Sequence, residues 1–224
     1  MLRYNDGMTK NKVHKYIRLS KGEEIGNAIT HGVMAFLLLC LNPFIAIAAY
    51  NKGGYLLAAS VSIFIISLFL MFMGSCLYHS MAYETTHKRV FQILDHIFIY
   101  VAIAGSYTPV ALNIVGGWWG ILIMIIQWGM VLAGILYKSI SKRSIPKVSV
   151  TIYLIMGWTA LLFMPLIIQK ASPWFIFFIG FGGVLYSIGS WFYSKKEKPY
   201  FHFIWHIFVN LAAITHFIAI VFFI

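Results

Sequence analysis

The chain has 224 residues, of which 61% are hydrophobic and only 10% charged, with a mean hydropathy of +0.83. Soluble domains are about 45–50% apolar and about 25% charged, so this composition excludes an ordinary water-soluble domain and places the chain in the membrane class. The formal net charge of +11 lies in short loops and an N-terminal tail, which reads as membrane topology rather than a nucleic-acid surface.

Residues 1–28 form a basic polar tail without an apolar core segment, so no cleavable signal peptide is expected. A helix needs about 17–25 apolar residues to cross the hydrocarbon core. In chain order, seven runs qualify: Ile29–Tyr50, Tyr55–His79, Phe91–Leu112, Trp118–Tyr137, Val148–Ile168, Trp174–Tyr193 and Tyr200–Ile224. Cys40 and Cys76 fall within the first two runs and read as small core hydrophobes, not a disulfide framework. "GMVLAG" in the fourth run and "GFGGVLYSIGS" in the sixth supply small residues for close helix contacts. Pro165 is expected to kink the end of the fifth. Trp118, Trp119, Trp174 and Trp191 mark ends of runs, as interfacial aromatics do. The runs are continuous rather than alternating, which argues against a β-barrel. No inverted repeat is visible, which weighs against a secondary transporter.

The cations give the orientation. Fifteen Lys and Arg fall in the tail and the second, fourth and sixth loops, against Lys52 and Lys170 alone in the others. The positive-inside rule therefore predicts an all-α integral membrane protein, a seven-helix bundle with a cytoplasmic N-terminus and an extracellular C-terminus. Residues 1–28 would be a cytoplasmic tail and 29–224 the membrane domain.

Ionisable residues inside spans mark candidate functional sites. Asp95 is the one acidic residue within any run, one turn into the third. It is either an interfacial carboxylate, wetted or paired with Lys88 or Arg89, or part of a site. Ser75 and His79 lie one helical turn apart at the end of the second run. His202 and His206 lie one turn apart at the start of the seventh, either as an interfacial pair or as two ligands of one metal ion. The predicted orientation brings all five to the cytoplasmic side at similar depth, with His206 about 9 Å and Asp95 about 6 Å into their spans. Three histidines and a carboxylate in one layer suit a zinc ion with an open position for water. His31, at the start of the first run, is a candidate outer hydrogen-bonding partner or a packing residue; His14 and His87 read as solvated, and His96 points away from Asp95. His216, about 21 Å beyond His202, cannot share one site with it.

The segments "EEIGNAITHG", "SCLYHS", "LDHIFIYVAIAGSYTP" and "FHFIWHIFV" resemble the signature segments of the hemolysin III proteins, the bacterial branch of the progestin and adipoQ receptor family. The likeness runs from about Glu23 to the C-terminus. It implies zinc held by His79, His202 and His206, with Asp95 on the zinc-bound water and Ser75 hydrogen-bonding near it. It also associates the chain with membrane hydrolases of ceramide-like lipids, with hemolysis and with membrane lipid homeostasis in the plasma membrane.

The leading expectation is a zinc-dependent lipid amide or ester hydrolase whose partners are membrane lipids, with neither nucleic acid nor a soluble protein partner indicated. The alternative is a sensor or homeostasis protein with structural zinc. A pore-forming cytolysin fits poorly, since seven apolar spans suit a resident of the cell's own membrane. An ion pathway would need polar residues at successive depths.

Overall fold

The computed structural model describes residues 18–140 and 146–224. Arg3, Lys10, Lys12, His14 and Lys15 of the tail, with Lys142 and Arg143 of the fourth loop, lie outside the described residues. All regular structure among the described residues is helical: α1 Lys21–Ser80, α2 Thr86–Pro109, α3 Gly117–Ile140, α4 Pro146–Trp158, α5 Ala160–Ile168, α6 Pro173–Tyr193 and α7 Phe201–Phe223. A π-helical turn, Val110–Val115, continues α2. Six helical stretches are long and apolar enough to cross a membrane, α4 and α5 together making one of them.

The 60-residue α1 is not one rod. Helical geometry fails at Gly53 and at Gly54, whose φ of 70° lies in the left-handed region that a side chain disfavours. The chain doubles back there, so the arms on either side lie together: Cys76 packs against Gly32, and the His79 imidazole meets Glu24. The second arm carries much of the core, including Val61, Phe64, Ile65, Leu68 and Phe72.

The start of α1 is fixed by a reciprocal cap. The Ser20 hydroxyl accepts from the Glu23 amide at 3.2 Å, and the Glu23 carboxylate accepts from the Ser20 amide at 3.0 Å. The other Glu23 oxygen accepts from the Tyr200 amide at 2.6 Å, tying the start of α7 to the start of α1. The helix thus begins at Lys21, eight residues before the apolar run Ile29–Tyr50, and brings Glu23 and Glu24 into its first turn.

α6 and α7 pack closely because glycine faces bulk. A methyl group on Gly182 would collide with His216 and Thr215, and one on Gly189 would lie 2.8 Å from Phe208 Cβ. The fifth apolar run breaks at Thr159, six residues before Pro165. Tyr107 occupies the break. Its hydroxyl approaches the carbonyls of Met156 at 3.0 Å and Gly157 at 2.6 Å, and accepts from the Ala160 amide at 2.7 Å. A side chain inserted into the backbone ladder bends a helix as a proline does.

The outer flank is apolar, with Phe36, Phe44, Ile125, Leu132, Leu162 and Phe222 each more than half exposed. A surface this apolar has to face lipid, and with the spanning helices it makes the chain a multi-pass membrane protein. Cys40 is on the exposed flank rather than in the core, and both cysteines are free.

Candidate metal centre

His79 is carried on the last turn of α1, and His202 and His206 on the first two turns of α7. The three ring centroids form a nearly regular triangle: 5.2 Å from His79 to His202, 4.8 Å from His79 to His206 and 4.9 Å from His202 to His206. One ring nitrogen from each falls within 4.8 Å of the others. Nε2 of His79 and Nδ1 of His206 are buried without a hydrogen-bond partner. Buried polar atoms are nearly always satisfied, and convergent imidazole nitrogens suit a small transition-metal cation. The residues therefore fit a metal ion, and this cluster could hold one.

His31 stacks on His206 with ring centroids 3.9 Å apart and packs edge-on against Phe72 at 4.9 Å. It buttresses the cluster from α1 and stands outside the set of convergent nitrogens. Asp95 and Ser75 also stand outside that set, on the wall of an adjoining cavity. Asp95 lies 3.6 Å from Nδ1 of His96, whose ring is held by the Gln92 carbonyl at 2.6 Å. Lys88, considered from sequence as a partner for Asp95, is bonded to Glu24 instead, at 2.8 Å.

Glu24 is the residue sequence reasoning missed. One oxygen meets Nδ1 of His79 at 2.5 Å and the other accepts from Lys88. It escaped notice because it precedes the apolar run. The available signal was its place in "EEIGNAITHG", one helical face shared with His31 two turns on. Tyr83, in the loop after α1, completes the surround. Its hydroxyl accepts from the Leu19 amide at 2.9 Å, and burial, followed by the hydrogen bond with Glu24, pushes its phenol up to about 12.

The adjoining cavity measures about 210 Å³. It starts at Asp95, His202 and His206 and runs past Ile103, Val110 and Leu154 to Phe175 and Ile176, at the opposite end of the bundle. Trp158 and Leu161 line it and are also exposed on the flank, so it reaches the lipid-facing surface beside α5. A polar head with metal-binding capacity thus adjoins a long apolar channel. His96 and His216 border the channel as well; His216 is bonded to the Ile179 carbonyl at 3.2 Å, remote from the cluster.

The chain matches the family model described as Haemolysin-III related over residues 19–217. It is 36% identical over 201 residues to the hemolysin-3 homolog of Bacillus subtilis (strain 168), covering 90% of this chain and 94% of that protein. It is 33% identical over 202 residues to hemolysin-3 of Bacillus cereus, covering 90% and 92%. The monocyte to macrophage differentiation factor of Homo sapiens is 29% identical over 156 residues, 67% of this chain and 64% of that one. No solved structure matches the chain.

Proposed function

The chain belongs to the haemolysin III family, and on that premise we propose that it is a zinc-dependent hydrolase of membrane lipids. His79, His202 and His206 hold the ion, and the substrate is a lipid with an amide or ester linkage. The observation that carries this reading is the convergence of three imidazole nitrogens at the head of an apolar channel that reaches the lipid-facing flank. A cavity of that shape accepts an acyl chain from the bilayer and sets its polar linkage beside the histidines.

A bound zinc ion supplies Lewis acidity, lowering the pKa of a water from 15.7 to about 7 and polarising a carbonyl. The remaining work falls to the chain. Asp95 takes the water's proton as general base and returns it to the leaving group. The Ser75 hydroxyl donates to the oxygen on which negative charge develops. The channel wall, with Ile103, Val110 and Leu154, holds the hydrocarbon and keeps bulk water away.

The fold is read here as seven crossings, because α1 doubles back at Gly53 and Gly54 and each arm is long enough to span. The basic end, bearing Lys88 and Lys195–Lys198, then faces the cytoplasm, with the C-terminus outside the plasma membrane, residues 1–28 as the cytoplasmic tail and 29–224 as the membrane domain. The metal centre lies at the basic end and so acts on lipids of the inner leaflet, in service of membrane lipid homeostasis.

Metal analysis of the detergent-purified protein tests the reading. About one zinc per chain is expected, lost in His202→Ala, together with release of fatty acid from a panel of amide and ester lipids by the wild type only. A wild-type protein that carries zinc but turns over no lipid would instead favour a structural ion in a sensor. One that takes up no zinc removes both.

A further inference from the structure

The geometry points to Glu24 as the positioning residue of the metal centre, with Lys88 as the buried counter-charge that holds it in place. The inference rests on the metal reading above and adds what holds the ligand still.

His79 sits at a helix end, one residue before α1 stops at Ser80. Helix ends fray, and an imidazole there is free to turn about its last side-chain bond and to exchange tautomers. Glu24 removes both freedoms. Its carboxylate, 2.5 Å from Nδ1, accepts a hydrogen bond from the Nδ1–H and so fixes the tautomer in which Nε2 is the free acceptor. That Nε2 is buried without a partner, and one ring nitrogen of His79 lies within 4.8 Å of those of His202 and His206. Among the described residues, His79 is the one member of the set with a carboxylate on its other nitrogen.

The Glu24 side chain is buried, and a buried charge needs a partner. Lys88 supplies it. Its ammonium bonds the second Glu24 oxygen at 2.8 Å and lies 4.7 and 4.2 Å from the ring centres of Tyr78 and Tyr83. It also donates to the carbonyls of Tyr78 at 3.3 Å and Met81 at 3.2 Å. Those carbonyls lie at the end of the arm that carries His79, where a cation is favoured. One lysine from α2 therefore caps the ligand-bearing helix and neutralises the residue that orients the ligand. Glu24 and His79 are 55 residues apart, so their contact forms only when the hairpin in α1 is closed, and the Lys88 contact only when α2 is docked as well.

The test uses the full chain in detergent and reads metal affinity by competition with a chromophoric chelator. E24Q keeps an acceptor near Nδ1 but loses the charge, and should bind zinc or cobalt about 10–100-fold more weakly. Because E24Q leaves Lys88 buried without its anion, the double variant E24Q/K88M is measured beside it; with no buried charge it should fold as wild type and still bind weakly. A second readout needs no metal. In protein labelled with ¹⁵N-histidine, the His79 Nδ1–H signal, assigned by its loss in H79N, should be present in wild type and absent or exchange-broadened in E24Q/K88M. A folded double variant with wild-type affinity and an unchanged His79 signal overturns the inference while leaving the metal reading intact. A wild-type protein that binds no metal overturns the metal reading, and the role given to Glu24 with it.

Discussion

In the function proposed above, Asp95 and Glu24 divide between them two tasks that a carboxylate can perform beside a metal. Glu24 is nine-tenths buried, bonded to a lysine and pressed against a ring nitrogen, so it has no freedom to move a proton. Asp95 stands on the cavity wall, outside the convergent set, with His96 as its near neighbour. In the proposed mechanism it is the carboxylate that meets substrate and water. Asp95→Asn is therefore expected to retain zinc at wild-type stoichiometry and to lose turnover by about 10²–10⁴-fold, the usual share of a general base. Metal content and lipid turnover measured on one preparation check this. Loss of zinc in Asp95→Asn would make Asp95 a ligand rather than a base. The three histidines and Asp95 could be found from sequence because each interrupts an apolar run where ionisable groups are costly. Glu24 and Lys88 could not, since both sit just outside a run, where charged residues are ordinary.

Elements were legible to the extent that hydrophobic length alone defines them. The turn at Gly53 and Gly54, the short loops and the small-residue face of α6 all follow from local composition. The break between α4 and α5 does not, because the hydroxyl that occupies it is 53 residues away in α2. Pro165 is the local signal, yet the helix runs through it and parts at Thr159, where the Tyr107 hydroxyl replaces a backbone bond. Tyr107→Phe should leave the Gly157 carbonyl and the Ala160 amide unpaired, because Gln127 at 3.3 Å still serves the Met156 carbonyl. An unmade buried hydrogen bond costs about 1–3 kcal/mol. Thermal unfolding in detergent should accordingly show a lower midpoint for the variant. A midpoint equal to wild type would mean that the ladder recloses on its own and that the hydroxyl follows the bend rather than making it. The bend matters for the channel, since Gly157, Trp158 and Ala160 beside the break all line it.

For the whole molecule, the decisive quantity is the parity of the crossings. Six spanning stretches follow from length and apolarity when α1 is taken as one element. On the reading proposed above, its doubling back at Gly53 and Gly54 makes them seven, and an odd number would put the two termini on opposite sides of the bilayer. The charge pattern speaks to the same parity independently, because fifteen of the seventeen cations fall in the tail and alternate loops. Single cysteines at Asn51 and His87, both exposed, separate the two counts in intact cells when Cys40 and Cys76 are first replaced by serine. Asn51→Cys should react with a membrane-impermeant maleimide, and His87→Cys should react only after permeabilisation. A reporter active only outside the cytoplasm, fused after Ile224, should be on, and the same reporter at the N-terminus off. Reaction at neither cysteine before permeabilisation would mean that the hairpin in α1 fails to cross, leaving five crossings and the termini still on opposite sides, whereas reaction of His87→Cys before permeabilisation, with both termini on one side, would mean that α1 crosses once and the count is six. The metal centre would survive that result, since it depends on contacts within the bundle. Its assignment to the inner leaflet would not, because that assignment rests on the basic end of the bundle facing the cytoplasm.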